Sequence, residues 1–186
     1  MRSGLLALAL AVAGCHGVTT ATLDRSVMPT NAIGQPILSP DYAVGLVAYT
    51  LGHPSTTEGQ PSHAALALAA VDFLAGDFWV DPRFVALPGL DKVRMMQGRE
   101  EVRRLLGIAP GATSQQVVNG LVAASGGYNA NDQAAVDQAL PVSVFTLGPA
   151  RTTEILSHLP YLVDANAAAQ NANAALSFGC GNGGCF

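Results

Sequence analysis

The stretch Ala64-Ala-Leu-Ala-Leu-Ala-Ala-Val-Asp-Phe-Leu-Ala75 decides the fold, because it predicts a helix that is apolar on nearly all sides. Pro61 stands just before it, where proline suits the first turn of a helix, and the pattern extends to about Phe78. A helix that is hydrophobic all round is buried in a domain core. We therefore expect residues 61–78 to form the central element of the domain.

Composition indicates what surrounds that helix. The chain has 186 residues, enough for one domain with its own core and too few to expect two. Hydrophobic residues make up 49% and aromatic residues only 6%, with alanine dominant among the apolar ones. Small apolar side chains favour closely packed helices. We therefore predict an all-α fold, a small bundle of about five to six helices with Ala-rich close packing.

Capping residues and glycines divide the rest of the chain. Ser39-Pro40 is typical of a helix start, and Thr113 opens a capping box for a later helix. Gly126-Gly127 is expected to end that later helix. Residues 142–147 alternate like a strand but have no partner strand, so we interpret them as an extended connector. These signals predict a helical domain over residues 39–178.

The N-terminus has the pattern of an export signal. Arg2 supplies a positive charge and residues 5–13 form an apolar run. A bilayer span takes about 20 apolar residues, so this run is too short to be one. The later apolar run over residues 64–71 is interrupted by Asp72. The sequence predicts an exported chain without a retained membrane span.

The end of that run, Val12-Ala13-Gly14-Cys15, resembles the lipobox of bacterial lipoproteins, with Val12 where leucine is commoner. The resemblance implies a signal peptide over residues 1–14, transfer of a diacylglyceryl group to the Cys15 sulfur, cleavage before the cysteine and acylation of the new amino group. In the family's sorting rule an Asp after the cysteine retains the protein at the inner membrane. His16 therefore implies the outer membrane, with the domain facing the periplasm. The alternatives are an ordinary secretory signal that contains a cysteine, or a buried thiol.

The other cysteines fit a lipidated Cys15. Three cysteines in an exported chain leave one unpaired, and lipidation of Cys15 leaves Cys180 and Cys185 as a pair. The glycine-rich loop between these two is flexible enough to close a disulfide in the oxidising periplasm. We therefore predict a Gly/Cys tail over residues 179–186, closed by this disulfide.

Residues 15–38 are predicted to be the lipidated cysteine and a flexible tether. They are rich in threonine, contain two prolines and lack helical periodicity. A flexible linker of that length spans roughly 25–30 Å on average. Such a tether would hold the domain clear of the lipid headgroups.

The sequence contains no catalytic constellation of a familiar kind. The motifs G-x-S-x-G, H-E-x-x-H and S-x-x-K are absent, and the four histidines lack metal-ligand spacing. A net charge of −4 without a basic stripe is unsuited to nucleic acid, since phosphate contacts supply most of that affinity. We predict no cofactor, no metal site and no nucleic-acid partner. Whether the protein is an enzyme stays open, with a non-enzymatic role favoured.

Aromatic and acidic residues are densest where the central helix ends. Trp79 stands among Asp72, Asp77 and Asp81, and sugar recognition uses such a flat ring beside carboxylate acceptors. A pair of carboxylates is also the catalytic group of most enzymes that hydrolyse glycosides. A helix end whose aromatics enter the core and whose aspartates face water would look the same and is the favoured interpretation. We keep these four residues as a candidate binding surface.

The leading hypothesis is a lipoprotein anchored to the outer membrane through Cys15. Its helical domain would be an accessory or adaptor of a cell-envelope complex, with the membrane and an envelope protein as partners. The alternative is an envelope carbohydrate-binding protein or hydrolase that uses the stretch from Asp72 to Asp81. A small-ligand carrier with a site between alanine-lined helices is a third, weaker hypothesis.

Overall fold

The computed structural model describes residues 23–181, and the side chains of residues 23–177. This part of the chain is all-helical, as predicted, with seven α-helices and no strand. The helices are α1 (Pro40–Gly52), α2 (Pro61–Asp77), α3 (Gly89–Leu105), α4 (Ser114–Asn129), α5 (Gln133–Ala139), α6 (Gly148–Ser157) and α7 (Val163–Gly181), with short 3-10 helices at Pro54–Thr56 and Pro82–Phe84. The count differs from the predicted five to six because α6 was not expected.

The α2 helix is the central element. Fourteen of its 17 residues are buried, and it contacts α1, α3, α4 and α6. It is antiparallel to α4, because Ser62 in its first turn donates to the Asn129 side chain at the end of α4, over 2.6 Å. The all-round apolar pattern of residues 61–78 therefore predicted the position of this helix correctly.

The α7 helix packs between α1 and α3 and is antiparallel to both. Asn171 donates to Asp91 at the start of α3 over 2.8 Å, while Ala165 lies against Gly98 further along α3. The end of α7 therefore lies beside the starts of α1 and α3. The contacts with α1 follow the same order, Gly52 with Gln170 and Gly45 with Asn173.

Both ends of the segment 24–38 are packed against the bundle, whereas its composition predicts a flexible tether. The Asp24 carboxylate accepts a hydrogen bond from the backbone N–H of Ser114, at the start of α4, over 2.6 Å. Met28 and Leu38 are buried in the core. A few specific contacts fix a segment that has no periodicity of its own. The described part of the predicted tether therefore belongs to the domain.

The predicted features at the two chain ends fall largely beyond the described residues. The signal peptide over residues 1–14, Cys15 and Cys185 all lie outside them, so the Cys180–Cys185 disulfide stays a prediction. The α7 backbone continues to Gly181, so the first residues of the predicted tail are helical. Between residues 23 and 181, no helix combines the length and hydropathy that a bilayer span needs.

Candidate functional site

Asp72 lies completely buried in the middle of α2 and is held by Arg103 from α3. The Arg103 Nε donates to Asp72 Oδ2 over 2.8 Å, and Nη2 donates to Oδ1 over 3.1 Å. Nη2 also donates to the hydroxyl of Ser114 over 2.9 Å. Burial disfavours the charged guanidinium, but the hydrogen bonds and the charge of Asp72 outweigh it and raise the pKa of Arg103. Asp72 is thus a structural carboxylate. It binds Arg103 of α3, and Arg103 in turn binds Ser114 at the start of α4.

Asp77 and Asp81 are each paired with a different arginine. Burial raises the pKa of the Asp77 carboxyl, even though Arg25 donates to it over 3.1 Å and favours its charged form. Asp81 caps the short helix that follows it by accepting from the backbone N–H of Arg83 over 2.9 Å. The Arg83 guanidinium lies 2.6 Å from the other oxygen of Asp81, and these hydrogen bonds lower the pKa of that carboxyl. Both carboxylates therefore have structural partners.

Trp79 is the member of the predicted surface that is open to solvent. Its side chain is 40% exposed, and Lys92 Nζ lies 6.0 Å from the ring centroid, at the outer limit of a cation–π contact. Asp77 and Asp81 lie beside Trp79 at the end of α2, whereas Asp72 is in the interior and belongs to no surface. The structure thus brings together three of the four predicted residues.

A groove of about 800 Å³ runs between α3 and the start of α7. Its apolar side chains are those of Val93, Met96 and Val163. Its polar side chains are those of Gln97, Glu100, Glu101, Arg104 and Asp164, so carboxylates outnumber cations three to one. No sequence pattern indicated this groove, because it arises from two segments about 60 residues apart in the chain.

Glu101 is the electrostatically unusual group of that groove. Burial, and then repulsion by Asp164, raise the pKa of its carboxyl, while Arg104 lowers it by less. A cation placed in the groove would favour the charged form of Glu101. The groove is therefore suited to a positively charged occupant.

A second depression, of about 420 Å³, lies where α2 begins and α4 ends. Its polar side chains mostly bond to the protein itself: Ser62 donates to Asn129, and the hydroxyl of Tyr128 bonds that of Thr153 over 2.8 Å. Asn131 in its wall has a φ of 53°, the one positive φ outside glycine among the described residues. This αL residue follows the end of α4, where asparagine is common, and indicates a helix terminus rather than a site.

Among the described residues, no group of three or more His, Cys, Asp or Glu side chains is placed to hold a metal ion. Comparison with protein-family models, with curated proteins and with solved structures finds no match. Function is therefore inferred from the residues and contacts of this chain.

Proposed function

We propose that the protein is a bacterial lipoprotein, held to the outer membrane by lipid on Cys15, whose helical domain acts in the periplasm as an adaptor for an envelope protein. The observation that carries the anchor is Val12-Ala13-Gly14-Cys15 at the end of a short apolar run. Asp24 is bound to the bundle through its carbonyl oxygen and its carboxylate, and the residue before it, Leu23, comes eight residues after Cys15. An extended chain of that length reaches at most about 28 Å, so the anchor would keep the domain near the bilayer.

The lipid anchor predicts a specific labelling result. Cells given a radioactive fatty acid should label the wild-type protein and leave Cys15→Ser unlabelled, because the diacylglyceryl group needs the Cys15 sulfur. Cys180→Ser is the matched control and should be labelled like the wild type. Equal labelling of Cys15→Ser and the wild type would refute the anchor.

The groove between α3 and α7 is the surface that we propose for the protein partner. Val163 and Val93 expose apolar area along it, and its carboxylates outnumber Arg104. An amphipathic helix presents apolar anchors on one face, and lysine or arginine on its flanks would complement the acidic rim. The proposed partner segment is therefore apolar on one face and basic beside it.

Site-specific photo-crosslinking in living cells tests this surface. A photo-reactive residue at Val163 should give a crosslinked product with an envelope protein, and the crosslinked peptide should carry lysine or arginine. The matched control is Val142, another exposed valine, which lies in the connection between α5 and α6 and outside the groove. Products at both positions alike, or at Val142 alone, would exclude the groove as the partner site.

The carbohydrate alternative is the weaker proposal. Asp72 is buried against Arg103, and Asp77 and Asp81 are each bound to an arginine, so a sugar hydroxyl would have to displace a guanidinium from them. What supports it is the exposed ring of Trp79 with Lys92 beside it. We therefore retain the adaptor as the proposed function.

A further inference from the structure

The two ends of the bundle differ in their exposed side chains. One end, which we call the proximal end, consists of residues 23–38, the start of α1, the connection from α2 to α3 and the first turn of α3. Two ion pairs show that these segments meet: Arg25 contacts Asp77 at the end of α2 over 3.1 Å, and Arg83 approaches Asp41 in the first turn of α1 to 3.5 Å. The proximal end is therefore a single surface region built from separate parts of the chain.

Large apolar side chains are exposed mainly at the proximal end. Nine of the 15 large hydrophobic residues that are exposed among the described ones lie there: Leu23, Val27, Ile33, Ile37, Tyr42, Trp79, Val80, Val85 and Leu90. Val85 and Ile33 are the extremes, at 78% and 77% exposure. Apolar area left in water costs about 25 cal/mol per Å², so a concentration of this kind indicates a surface that something covers.

Three arginines at or beside the proximal end are more exposed than the carboxylates they pair with, whereas in the Arg83–Asp41 pair the carboxylate is the more exposed, 53% against 43%. The three pairs are Arg25 at 54% with Asp77 at 5%, Arg83 at 43% with Asp81 at 13%, and Arg94 at 36% with Asp91 at 6%. Each carboxylate holds its guanidinium in place and lies below it. The outermost charges of these pairs are therefore positive.

The opposite end of the bundle has a different character. It is formed by the connections from α1 to α2, α4 to α5 and α6 to α7 and by the start of α7, and of the 15 exposed hydrophobic residues it carries Tyr161 and Val163. The exposed charges at and beside this end include the carboxylates Glu58, Asp132, Asp137 and Glu154. The concentration of exposed apolar side chains is thus a property of one end.

We propose that the proximal end lies on the phospholipid headgroup layer of the membrane that holds Cys15. The inference rests on the proposed lipid anchor, and the chain's own geometry selects this occupant. Leu23, the first residue that the structure describes, lies at the proximal end, and an extended chain over the eight residues back to Cys15 reaches at most about 28 Å. The surface nearest the anchor is therefore the one that carries the exposed aromatic and aliphatic side chains.

The chemistry of that surface fits a headgroup layer. Tryptophan and tyrosine prefer the boundary between headgroups and acyl chains, where Trp79 and Tyr42 would place their rings. Aliphatic side chains such as Val85 and Ile33 gain by entering the same boundary, and outward guanidinium groups attract phosphate and anionic lipid. A lipid anchor with a second, weaker surface contact holds a protein more firmly than either alone.

Trp79 provides the readout, because it is the sole tryptophan of the chain. The full-length lipidated protein is reconstituted into vesicles of phosphatidylethanolamine and phosphatidylglycerol. The reference is the same protein released from the vesicles, without detergent, by cleavage between residues 15 and 23. Relative to it, we expect the Trp79 emission of the vesicle-bound protein to shift to shorter wavelength. We also expect phospholipids brominated high on the acyl chain to quench that emission.

Substitutions identify the surface responsible. The double variant Ile33→Asp with Val85→Asp should lose both the emission shift and the quenching while it stays on the vesicles through its lipid. Val142→Asp changes another exposed valine, away from the proximal end, and should keep both signals. All three positions are exposed, so circular dichroism should show unchanged helix content.

The outcomes separate the two proposals. A wild-type protein that is labelled and bound to vesicles, but whose Trp79 emission neither shifts nor is quenched, would overturn membrane docking. The lipid anchor would stand, and the proximal end would be open to a protein partner. Equal loss of signal in Val142→Asp and the double variant would also overturn membrane docking. A chain with unlabelled Cys15 that does not bind vesicles would overturn the anchor and the docking together.

Discussion

Arg103→Ala is expected to lower the free energy of unfolding by about 3–5 kcal/mol, because it leaves the buried Asp72 without its partner. Asp72 has no exposed area through which water could replace the lost guanidinium. Native domains are stable by only about 5–15 kcal/mol, so this loss is a large share of the total. Urea unfolding followed by circular dichroism measures it.

The neighbouring arginine is the matched control for that substitution. Arg104 is exposed, and its Nε donates to the carbonyl oxygen of Glu100, so Arg104→Ala should change stability by no more than about 0.5 kcal/mol. Adding Asp72→Asn to Arg103→Ala should recover part of the loss, because a neutral amide costs less to bury than a carboxylate. Equal midpoints for Arg103→Ala and Arg104→Ala would show that the buried pair makes no net contribution.

Gly98→Leu is expected to lower the free energy of unfolding by about 3 kcal/mol, the upper end of the usual range for overpacking, because the α3 and α7 helices touch at this glycine. A Cβ at position 98 would lie 2.7 Å from the Cβ of Ala165 and 2.8 Å from its backbone nitrogen. Backbone atoms cannot rotate away as a side chain does, so one helix must move. The change is measured by urea unfolding at neutral pH.

Alanine substitutions separate this crowding from helix propensity. Replacing glycine by alanine inside a helix gains about 0.8–1 kcal/mol from propensity alone. Gly126 in α4 has open space around its Cα, so Gly126→Ala should stabilise the protein by about that amount. Gly98→Ala should instead destabilise it. A stabilising Gly98→Ala would contradict the close approach of α3 and α7.

The positions of most helices follow from local signals. Proline and capping residues mark the starts of α1, α2 and α4, and the structure shows the Thr113 hydrogen bonds of the predicted capping box. Gly126-Gly127 was wrongly expected to end α4, which continues to Asn129. A Cβ at Gly127 would lie 2.8 Å from a methyl group of Val136, so this glycine serves a close contact with α5. Sequence alone cannot distinguish that role from a helix stop.

Residues 142–147 are folded differently from the predicted extended connector. The backbone N–H of Phe145 donates to the carbonyl of Pro141 over 2.8 Å, which makes a turn before α6. The neighbours Val144 and Phe145 are both buried, whereas Val142 and Leu147 are exposed, so burial does not follow the alternation of the sequence. A short run of mixed apolar and polar residues is compatible with a strand, and equally with a turn that places two side chains in the core.

Two ion pairs of the candidate site join residues that are far apart in the sequence, so the spacing of charges along one helix does not predict them. Arg99 and Arg103 occur in a charged pattern along α3 that indicates a solvent-exposed face with pairs between successive turns. The structure buries Arg99 and pairs Arg103 with Asp72, 31 residues away in the chain. An arginine pairs with whichever carboxylate the fold brings near, so this partner appears only in three dimensions.

The packing of residues 24–38 has a consequence for the order of assembly. Asp24 bonds Ser114, 90 residues later, and Arg99 donates to the Asp24 carbonyl, so this segment can dock only after α3 and α4 are in place. Before that step 25 residues separate Cys15 from the start of α1, and afterwards eight separate it from Leu23. In a chain whose lipid is already in the bilayer, the completion of folding would itself draw the bundle toward the membrane surface.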